Sequence, residues 1–156
     1  MNCENKFKYI LIILMPLIFV IVIARVHFIA EIYFAVPWIF TIAFIIFWFW
    51  AGKVFAKANC NRAKSFLIGN SLWAISFLLY LLQELLGNDA NRNFTIERIS
   101  QCYMSPMVHI TTKIMMTDIH IIDEFIMSII SYVLMFIIFS MGFIYESLKE
   151  DSSLQV

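Results

Sequence analysis

Histidine and acidic residues gather in one polar stretch of the chain, ahead of its last apolar run. Imidazole and carboxylate groups are side chains that bind divalent metal ions. Their spacing here matches no established metal site, and acidic residues are also favourable at the positive, N-terminal end of a helix. We therefore predict a solvated helix start and no metal site. The cluster consists of His109, Asp118, His120, Asp123 and Glu124.

Two charged residues lie inside apolar runs, where a charge is usually paired or functional. Arg25 lies near the end of the first run and Glu84 near the end of the third. If the two helices are neighbours, the guanidinium and the carboxylate lie at similar depth and form an intramembrane pair. The alternative is independent anchoring, because a long arginine near a span end reaches the interface unaided. Arg25 and Glu84 are our only candidate site residues, and we predict no catalytic or cofactor-binding residue.

The cysteines lack the spacing of a redox or metal motif. Cys3, Cys60 and Cys102 are far apart, and no C-x-x-C pair occurs. On the topology given below, the first two face the reducing cytoplasm and the third faces outward, so we expect no intramolecular disulfide. Cys102 either bridges two copies or packs as a small apolar residue, and we favour packing. We expect no cofactor, because the chain has only four glycines and no phosphate-cradling glycine loop.

Four long apolar runs must position these residues. The chain is 62% hydrophobic and 14% charged, whereas a soluble domain has roughly 45–50% apolar and about 25% charged residues. Each run approaches the roughly 20 residues that a helix needs to cross a bilayer. Backbone amides in lipid must be satisfied within the chain, so the runs must be helices. We predict an all-α integral membrane protein, a single membrane domain whose four transmembrane helices form a small bundle. The predicted spans are residues 9–29, 35–52, 66–86 and 125–145.

The longest segment between spans, residues 87–124, is predicted to be an outer loop of about 38 residues. Asn93 is a good helix N-cap, and Ser105-Pro106 should end a short helix that starts there. We predict that this helix lies at the lipid interface or on the outer ends of the spans, and that residues 94–116 form a partner-facing surface. The alternative is a loop that only covers its own bundle. The predicted apolar stripe of the short helix is Phe94, Ile96, Ile99, Cys102 and Tyr103.

The basic residues predict that both termini are cytoplasmic. Basic residues in short loops near span ends favour the inner side, and the side that carries the termini has seven of them against four. We expect the cell membrane of a bacterium, because the composition is typical of an AT-rich genome. The inner residues are Lys6, Lys8, Lys53, Lys57, Arg62, Lys64 and Lys149, and the outer ones are Arg25, Arg92, Arg98 and Lys113.

Aromatic and small polar residues predict where the membrane boundaries lie and which residues bond between helices. Tryptophan and tyrosine collect at membrane boundaries, which places Tyr9, Trp48, Trp50 and Tyr145 at the inner boundary and Tyr33 and Trp38 at the outer one. Small polar residues at membrane depth usually bond between helices. Pro37 fits the first turn of the second span, where its missing N–H costs no hydrogen bond. The deeper polar residues are Thr41, Asn70, Ser71, Ser76, Ser128, Ser131 and Ser140.

These features predict a non-enzymatic, four-span membrane protein that acts through membrane or protein contacts. Accessory subunits, assembly factors and immunity proteins belong to this class. The alternative is a small transporter or channel component that works as an oligomer, with Arg25, His27 and Glu84 as its polar residues. A membrane enzyme built on the His109–Glu124 cluster is a third, weaker class. The expected partners are the lipid bilayer and a membrane protein or a second copy; a net charge of zero does not favour nucleic acid.

Overall fold

The computed structural model describes residues 3–58, 61–85, 93–116 and 123–153. The regular elements in these ranges are helical, and we number them α1 to α7. Their bounds are α1 Cys3–Arg25, α2 His27–Ala35, α3 Pro37–Ala56, α4 Arg62–Gly69, α5 Ser71–Leu85, α6 Phe94–Ile114 and α7 Glu124–Ser153. Two of them, α3 and α7, are long and apolar enough to cross a membrane. The bent pairs α1–α2 and α4–α5 raise this number to four if each pair is one span.

Two predicted spans are each divided into two helices. The first breaks at Val26, whose backbone is extended, with φ −110° and ψ 97°. The third breaks at Asn70, where α4 and α5 meet at a bend of 49°. Glycine and asparagine are poor helix formers, and a Cβ on Gly69 would meet the ring tip of Phe139. The break after Gly69 is explained by the low helix propensity of both residues.

Side-chain contacts show that the directions of the long helices alternate along the chain. The start of α1 packs on the end of α3, and the start of α4 packs on the end of α7. The end of α5 packs on the start of α7, so α4 and α5 run antiparallel to α7, whereas α3 and α7 run parallel. The contacts that fix these directions are Tyr9–Phe55, Phe19–Phe40, Phe66–Phe143, Tyr80–Phe125, Trp48–Phe139 and Lys57–Glu146.

The two ends of the bundle differ in charge. At one end, called the basic end, the start of α1, the end of α3, the start of α4 and the end of α7 meet. Glu146 of α7 is buried there, 3.4 Å from Lys53 Nζ and 3.0 Å from Lys57 Nζ. Arg62 donates to Asp151 at 2.8 Å and ties α4 to α7. The opposite end, called the α6 end, contains the end of α1, the start of α3, the end of α5 and the start of α7.

The helices α3 and α7 touch backbone to backbone at two glycines. A Cβ on Gly142 would collide with the Phe49 carbonyl, and one on Gly52 would lie 2.8 Å from the Phe143 backbone nitrogen. Small residues let membrane helices approach closely, so that van der Waals contact replaces the hydrophobic effect as the force that joins them. Both glycines are therefore positional requirements of this helix pair.

The outward faces of the long helices are apolar. On α3, Ile39, Ile42 and Ile46 follow one another at helical spacing and are 63%, 54% and 64% exposed. Apolar faces of this extent are costly in water and match a lipid environment. Trp48 is an exception to the boundary prediction, because it is 1% exposed and its Nε1 donates to the Met135 carbonyl at 2.9 Å. It belongs to the bundle core.

The helix α6 differs most from the sequence prediction. It has 21 residues and continues through Pro106, so the predicted end at Ser105-Pro106 is wrong. It also packs against α1, α3, α5 and α7, and is therefore a component of the bundle, not a short helix at the interface. Proline removes one intrahelical hydrogen bond, and here contacts with four helices offset that loss. Pro37, in contrast, is at the first position of α3, as predicted.

The buried face of α6 is rotated from the predicted apolar stripe. Ile99 is 55% exposed, whereas the polar Ser100 beside it is 1% exposed. Asn93 caps the helix as predicted, and its Oδ1 accepts from the backbone of Thr95 at 3.1 Å and of Ile96 at 3.3 Å. The residues on the buried face are Ser100, Tyr103, Met104, Met107 and Thr111.

Candidate functional site

The two residues predicted to pair lie at the α6 end. Arg25 is the last residue of α1 and is exposed, and Glu84 is in the last turn of α5 and half-buried. The structure brings His27 to Glu31, with 3.2 Å between Nε2 and Oε1. Pairing of Arg25 with Glu84 stays a prediction.

The histidine and acid cluster is only partly described. Asp118 and His120 lie outside the described residues, and His109 lies in α6. Asp123 caps α7, because its Oδ1 accepts from the Phe125 backbone N–H at 2.9 Å. This is the helix-start role that the sequence predicts. Within the described ranges, no group of three or more His, Cys, Asp or Glu side chains is placed to hold a metal ion.

Contacts along α6 show how deeply it enters the bundle. Its start and its last turns contact residues at the α6 end, whereas its middle reaches residues about halfway along α3 and α5. Both ends of the helix therefore lie near the α6 end of the bundle. The contacts are Asn93 with Gln83, Ser100 with Ser76, Tyr103 with Trp48, Thr111 with Ser131, and His109 with Trp38.

A three-way hydrogen-bonded cluster holds the middle of α6. Tyr132 of α7 donates its hydroxyl to the Ser100 carbonyl at 2.7 Å. Ser76 of α5 lies 3.0 Å from the same carbonyl and 2.9 Å from the Tyr132 hydroxyl. All three residues are buried. A buried polar group without a partner is costly. These hydrogen bonds therefore allow the Ser76 hydroxyl to lie in the interior of the bundle.

Two further polar contacts bind α6 to its neighbours. Ser131 of α7 donates to Thr111 Oγ1 at 2.9 Å, and Thr41 of α3 lies 3.3 Å from the Pro106 carbonyl. The prediction of bonds between helices is thus confirmed for Thr41, Ser76 and Ser131. Four other small polar residues bond instead to carbonyls of their own helices or of the adjoining one. They are Asn70, Ser71, Ser128 and Ser140.

The face of α6 that turns away from the bundle core forms a groove, which we call the α6 groove. It consists of two adjoining cavities of about 550 and about 380 Å³ that share Arg98, Gln101 and Cys102. The start of α7 forms one wall. The remaining lining residues are Thr95, Glu97, Ile99, Met104, Ser105, Val108, Glu124, Met127 and Ser128.

The α6 groove is polar, whereas the outward faces of the long helices are apolar. Arg98 is exposed and forms no salt bridge within the described ranges. Gln101 Nε2 donates to Glu97 Oε1 at 3.3 Å, and Cys102 is a free, half-buried thiol. The groove can therefore offer a cation, two carboxylates, amide and hydroxyl groups, and a thiol to one bound surface.

A separate cavity lies on the other side of Ser105 and Val108 from the α6 groove, and we call it the α2 cavity. Its volume is about 520 Å³. Tyr33 of α2 and Ser105 of α6 are hydrogen-bonded across it. The His109 ring packs edge-to-face on Trp38 at 4.5 Å between centroids, and its buried Nε2 has no hydrogen-bond partner in the described structure. The lining residues are Val20, Ile23, Tyr33, Pro37, Ser105, Val108, His109 and Thr112.

The sequence carries a signal for the α6 groove. Thr95, Arg98, Cys102 and Ser105 recur in steps of three or four residues, which places polar and small side chains on one helical face. The sequence prediction places Cys102 in the apolar stripe instead. No corresponding signal marks the α2 cavity, because its residues come from α1, α2, α3 and α6.

No family model matches this chain, and no curated protein and no solved structure matches it significantly.

Proposed function

We propose that this chain is a non-enzymatic, four-span membrane protein that binds another membrane protein as an accessory subunit or assembly factor. The α6 groove is the contact surface in this proposal. The observation that supports this proposal is that α6, which packs against four other helices, presents a polar face beside an otherwise apolar bundle exterior. A rigid helix that exposes such a face is suited to positioning a partner.

The alternating helix directions support four crossings, with each bent pair counted as one broken span; the bend is 100° between α1 and α2 and 49° between α4 and α5. The positive-inside rule assigns the basic end to the cytoplasm. Its basic residues include Lys53 and Lys57 at the end of α3, Arg62 and Lys64 at the start of α4, and Lys149 at the end of α7. The α6 groove then opens toward the outer side of a cell membrane. This topology is part of the proposal.

The chemistry of the groove favours a protein over lipid tails as its occupant. Hydrocarbon offers the Arg98 guanidinium no hydrogen-bond partner, and unsatisfied polar groups in lipid are costly. A partner helix or loop with a carboxylate opposite Arg98 would satisfy the guanidinium, because charge-assisted hydrogen bonds are the strongest of these contacts. Because Glu97 and Glu124 also line the groove, we propose as the occupant a polar membrane-protein segment that places one carboxylate at Arg98.

The packing of the bundle supports binding over transport by a single copy. Trp48, Tyr103, Tyr132 and Phe139 are each at most 1% exposed, and they fill the space between α3, α6 and α7. A solute path through this centre would require these aromatic side chains to move together. The contact-based proposal requires no such movement.

Site-specific crosslinking in native membranes tests the proposal. A photoreactive residue in place of Gln101, which lines both cavities of the groove, is expected to give one protein adduct, whereas one in place of Leu78, which is 64% exposed on α5, is expected to give lipid adducts. In a second arm, a photoreactive residue replaces Ser105, and Arg98→Glu is expected to reduce its protein adduct strongly, because the charge opposite the partner carboxylate is reversed.

Several outcomes would contradict the proposal. Lipid-only adducts at Gln101, the same protein adduct at Leu78, or an unchanged yield with Arg98→Glu would each remove the groove as the binding surface. An adduct of twice the chain mass of 18.3 kDa would show a second copy in the groove and replace the accessory-subunit proposal by self-association.

A further inference from the structure

The α2 cavity combines an apolar wall with a few polar groups. Val20, Ile23 and Val108 supply aliphatic surface, and Tyr33, Ser105 and His109 supply hydroxyl and imidazole groups. A volume of about 520 Å³ lies within the roughly 300–1,000 Å³ of sites that bind small organic molecules. Such sites place a small number of polar groups in a mostly apolar lining, as this cavity does.

The position of the cavity suits a molecule that enters from the membrane. Pro37 is the first residue of the apolar helix α3, and Val20 and Ile23 belong to the apolar part of α1. The side of the cavity at Pro37 is therefore level with the start of the apolar helix α3. The side at Val20 and Ile23 lies within the apolar part of α1. A ligand with a polar head at the boundary and an apolar body directed along α1 matches this arrangement.

His109 indicates the chemistry of the head group. Its Nε2 is buried and has no hydrogen-bond partner in the described structure, and a buried polar group in that state costs about 1–3 kcal/mol. A hydroxyl group satisfies this nitrogen as donor or acceptor, and a carbonyl oxygen accepts its proton in the other tautomer. Among the residues that the structure describes, no Lys, Arg, Asp or Glu lines this cavity, so they would leave an ionised head group without a counter-charge.

We propose that the α2 cavity binds a lipophilic molecule whose head group is an uncharged hydroxyl or carbonyl oxygen, held by His109 with Tyr33 and Ser105. This inference does not depend on the proposed partner at the α6 groove. Two sources offer the same chemistry, namely a neutral glycerolipid with a free hydroxyl and a quinone-type lipid with ring carbonyls.

Histidine NMR of the full chain in lipid nanodiscs tests the proposal. The protein is labelled with ¹⁵N-histidine and titrated with dioctanoylglycerol, with a decyl-substituted benzoquinone, and with decylbenzene as an oxygen-free control. We expect a saturable shift of the His109 imidazole signals with at least one oxygen-bearing ligand and none with decylbenzene. A response to dioctanoylglycerol alone identifies the glycerolipid source, and a response to the quinone alone identifies the quinone source.

Matched variants test the role of the nitrogen. His109→Phe keeps an aromatic ring against Trp38 and removes the hydrogen-bonding group, so ligand-induced stabilisation in thermal unfolding is expected to require about tenfold more ligand. His27→Phe makes the same change at a side chain that is 91% exposed, and it should leave binding unchanged.

Three results would overturn the proposal. They are the absence of a saturable shift with both oxygen-bearing ligands, equal binding of decylbenzene, and unchanged ligand affinity in His109→Phe. If His109→Phe does not fold, the titration of the unmodified protein still decides the question, because its three ligands differ in the oxygen that the proposal requires.

Discussion

The hydroxyl of Tyr132 lies where α5, α6 and α7 meet. It donates to the Ser100 carbonyl and is also 2.9 Å from Ser76 Oγ, so one side chain links three helices. In lipid, the hydrophobic effect does not drive helices together, and packing and hydrogen bonds carry more of the association. Tyr132 therefore contributes through its ring packing and its hydroxyl, and the two contributions can be separated.

Tyr132→Phe removes only the hydroxyl. We expect the free energy of unfolding to fall by about 0.5–2 kcal/mol, because hydrogen bonds between membrane helices have measured values in this range. The reduction is measured by denaturant titration in mixed micelles. Tyr145→Phe is the matched control, since Tyr145 is 54% exposed on the same helix, and it should change stability by much less. Equal effects of the two variants would show that the cluster does not hold α6.

Residues whose role is local were predictable, and residues whose role depends on a distant partner were not. Asn93 caps α6 and Pro37 starts α3 because capping and proline chemistry act within one turn. Trp48 was assigned to the boundary, yet the Met135 carbonyl, far away in sequence, draws it into the core. Arg98 and Cys102 face a groove for a similar reason, since their exposure depends on which side of α6 the other helices cover.

At the scale of elements, α3 and α7 form the pair whose backbones meet directly. Gly52 and Gly142 leave no space for a Cβ, and the Trp48 indole bonds to the α7 backbone beside this contact. The bundle thus has a fixed centre on which α6 packs. Separation of α3 from α7 would therefore also disturb the surface on which α6 packs.

Gly142→Val places a branched side chain against the backbone of Phe49. Overpacking in a tightly filled core typically costs about 1–3 kcal/mol, and we expect at least the upper part of this range because backbone yields less than a side chain. The loss is measured by unfolding in mixed micelles. Ala43→Val is the control, since Ala43 is exposed on α3 and gains the same kind of branching without a clash. If both variants match the unmodified protein, α3 and α7 do not cross at these glycines.

The strongly apolar helices were largely predictable, whereas α6 was not. Hydrophobic length alone located the stretches that became α1, α3, α5 and α7, although the breaks at Val26 and Asn70 shortened two of them. Residues 94–114 contain Glu97, Arg98 and Lys113, a composition typical of an interfacial helix. Ser100 and Thr111 are nevertheless buried, because the Ser100 hydroxyl donates to the Glu97 carbonyl and the Ser131 hydroxyl donates to Thr111 Oγ1. Composition alone does not show such pairings.

For the whole molecule, the two ends have different chemistry. The basic end has Lys53, Lys57 and Arg62 close to the end of α7, where Glu146 and Asp151 bind them. The α6 end contains the α6 groove, the α2 cavity and the capping residues of α6 and α7. If the chain crosses the membrane as proposed, the salt bridges fix the cytoplasmic end and leave the opposite end to bind partners and lipophilic molecules.

Single-cysteine labelling on intact cells tests this orientation. In a background in which Cys3, Cys60 and Cys102 are serine, Thr95→Cys places an exposed thiol at the start of α6. We expect a membrane-impermeant maleimide to label it from outside, because the positive-inside rule places the basic end in the cytoplasm. Lys64→Cys and Lys149→Cys place exposed thiols at the basic end, and they should react only after permeabilisation. Labelling of Lys64→Cys on intact cells, with Thr95→Cys protected, would reverse the molecule in the membrane and turn the α6 groove toward the cytoplasm.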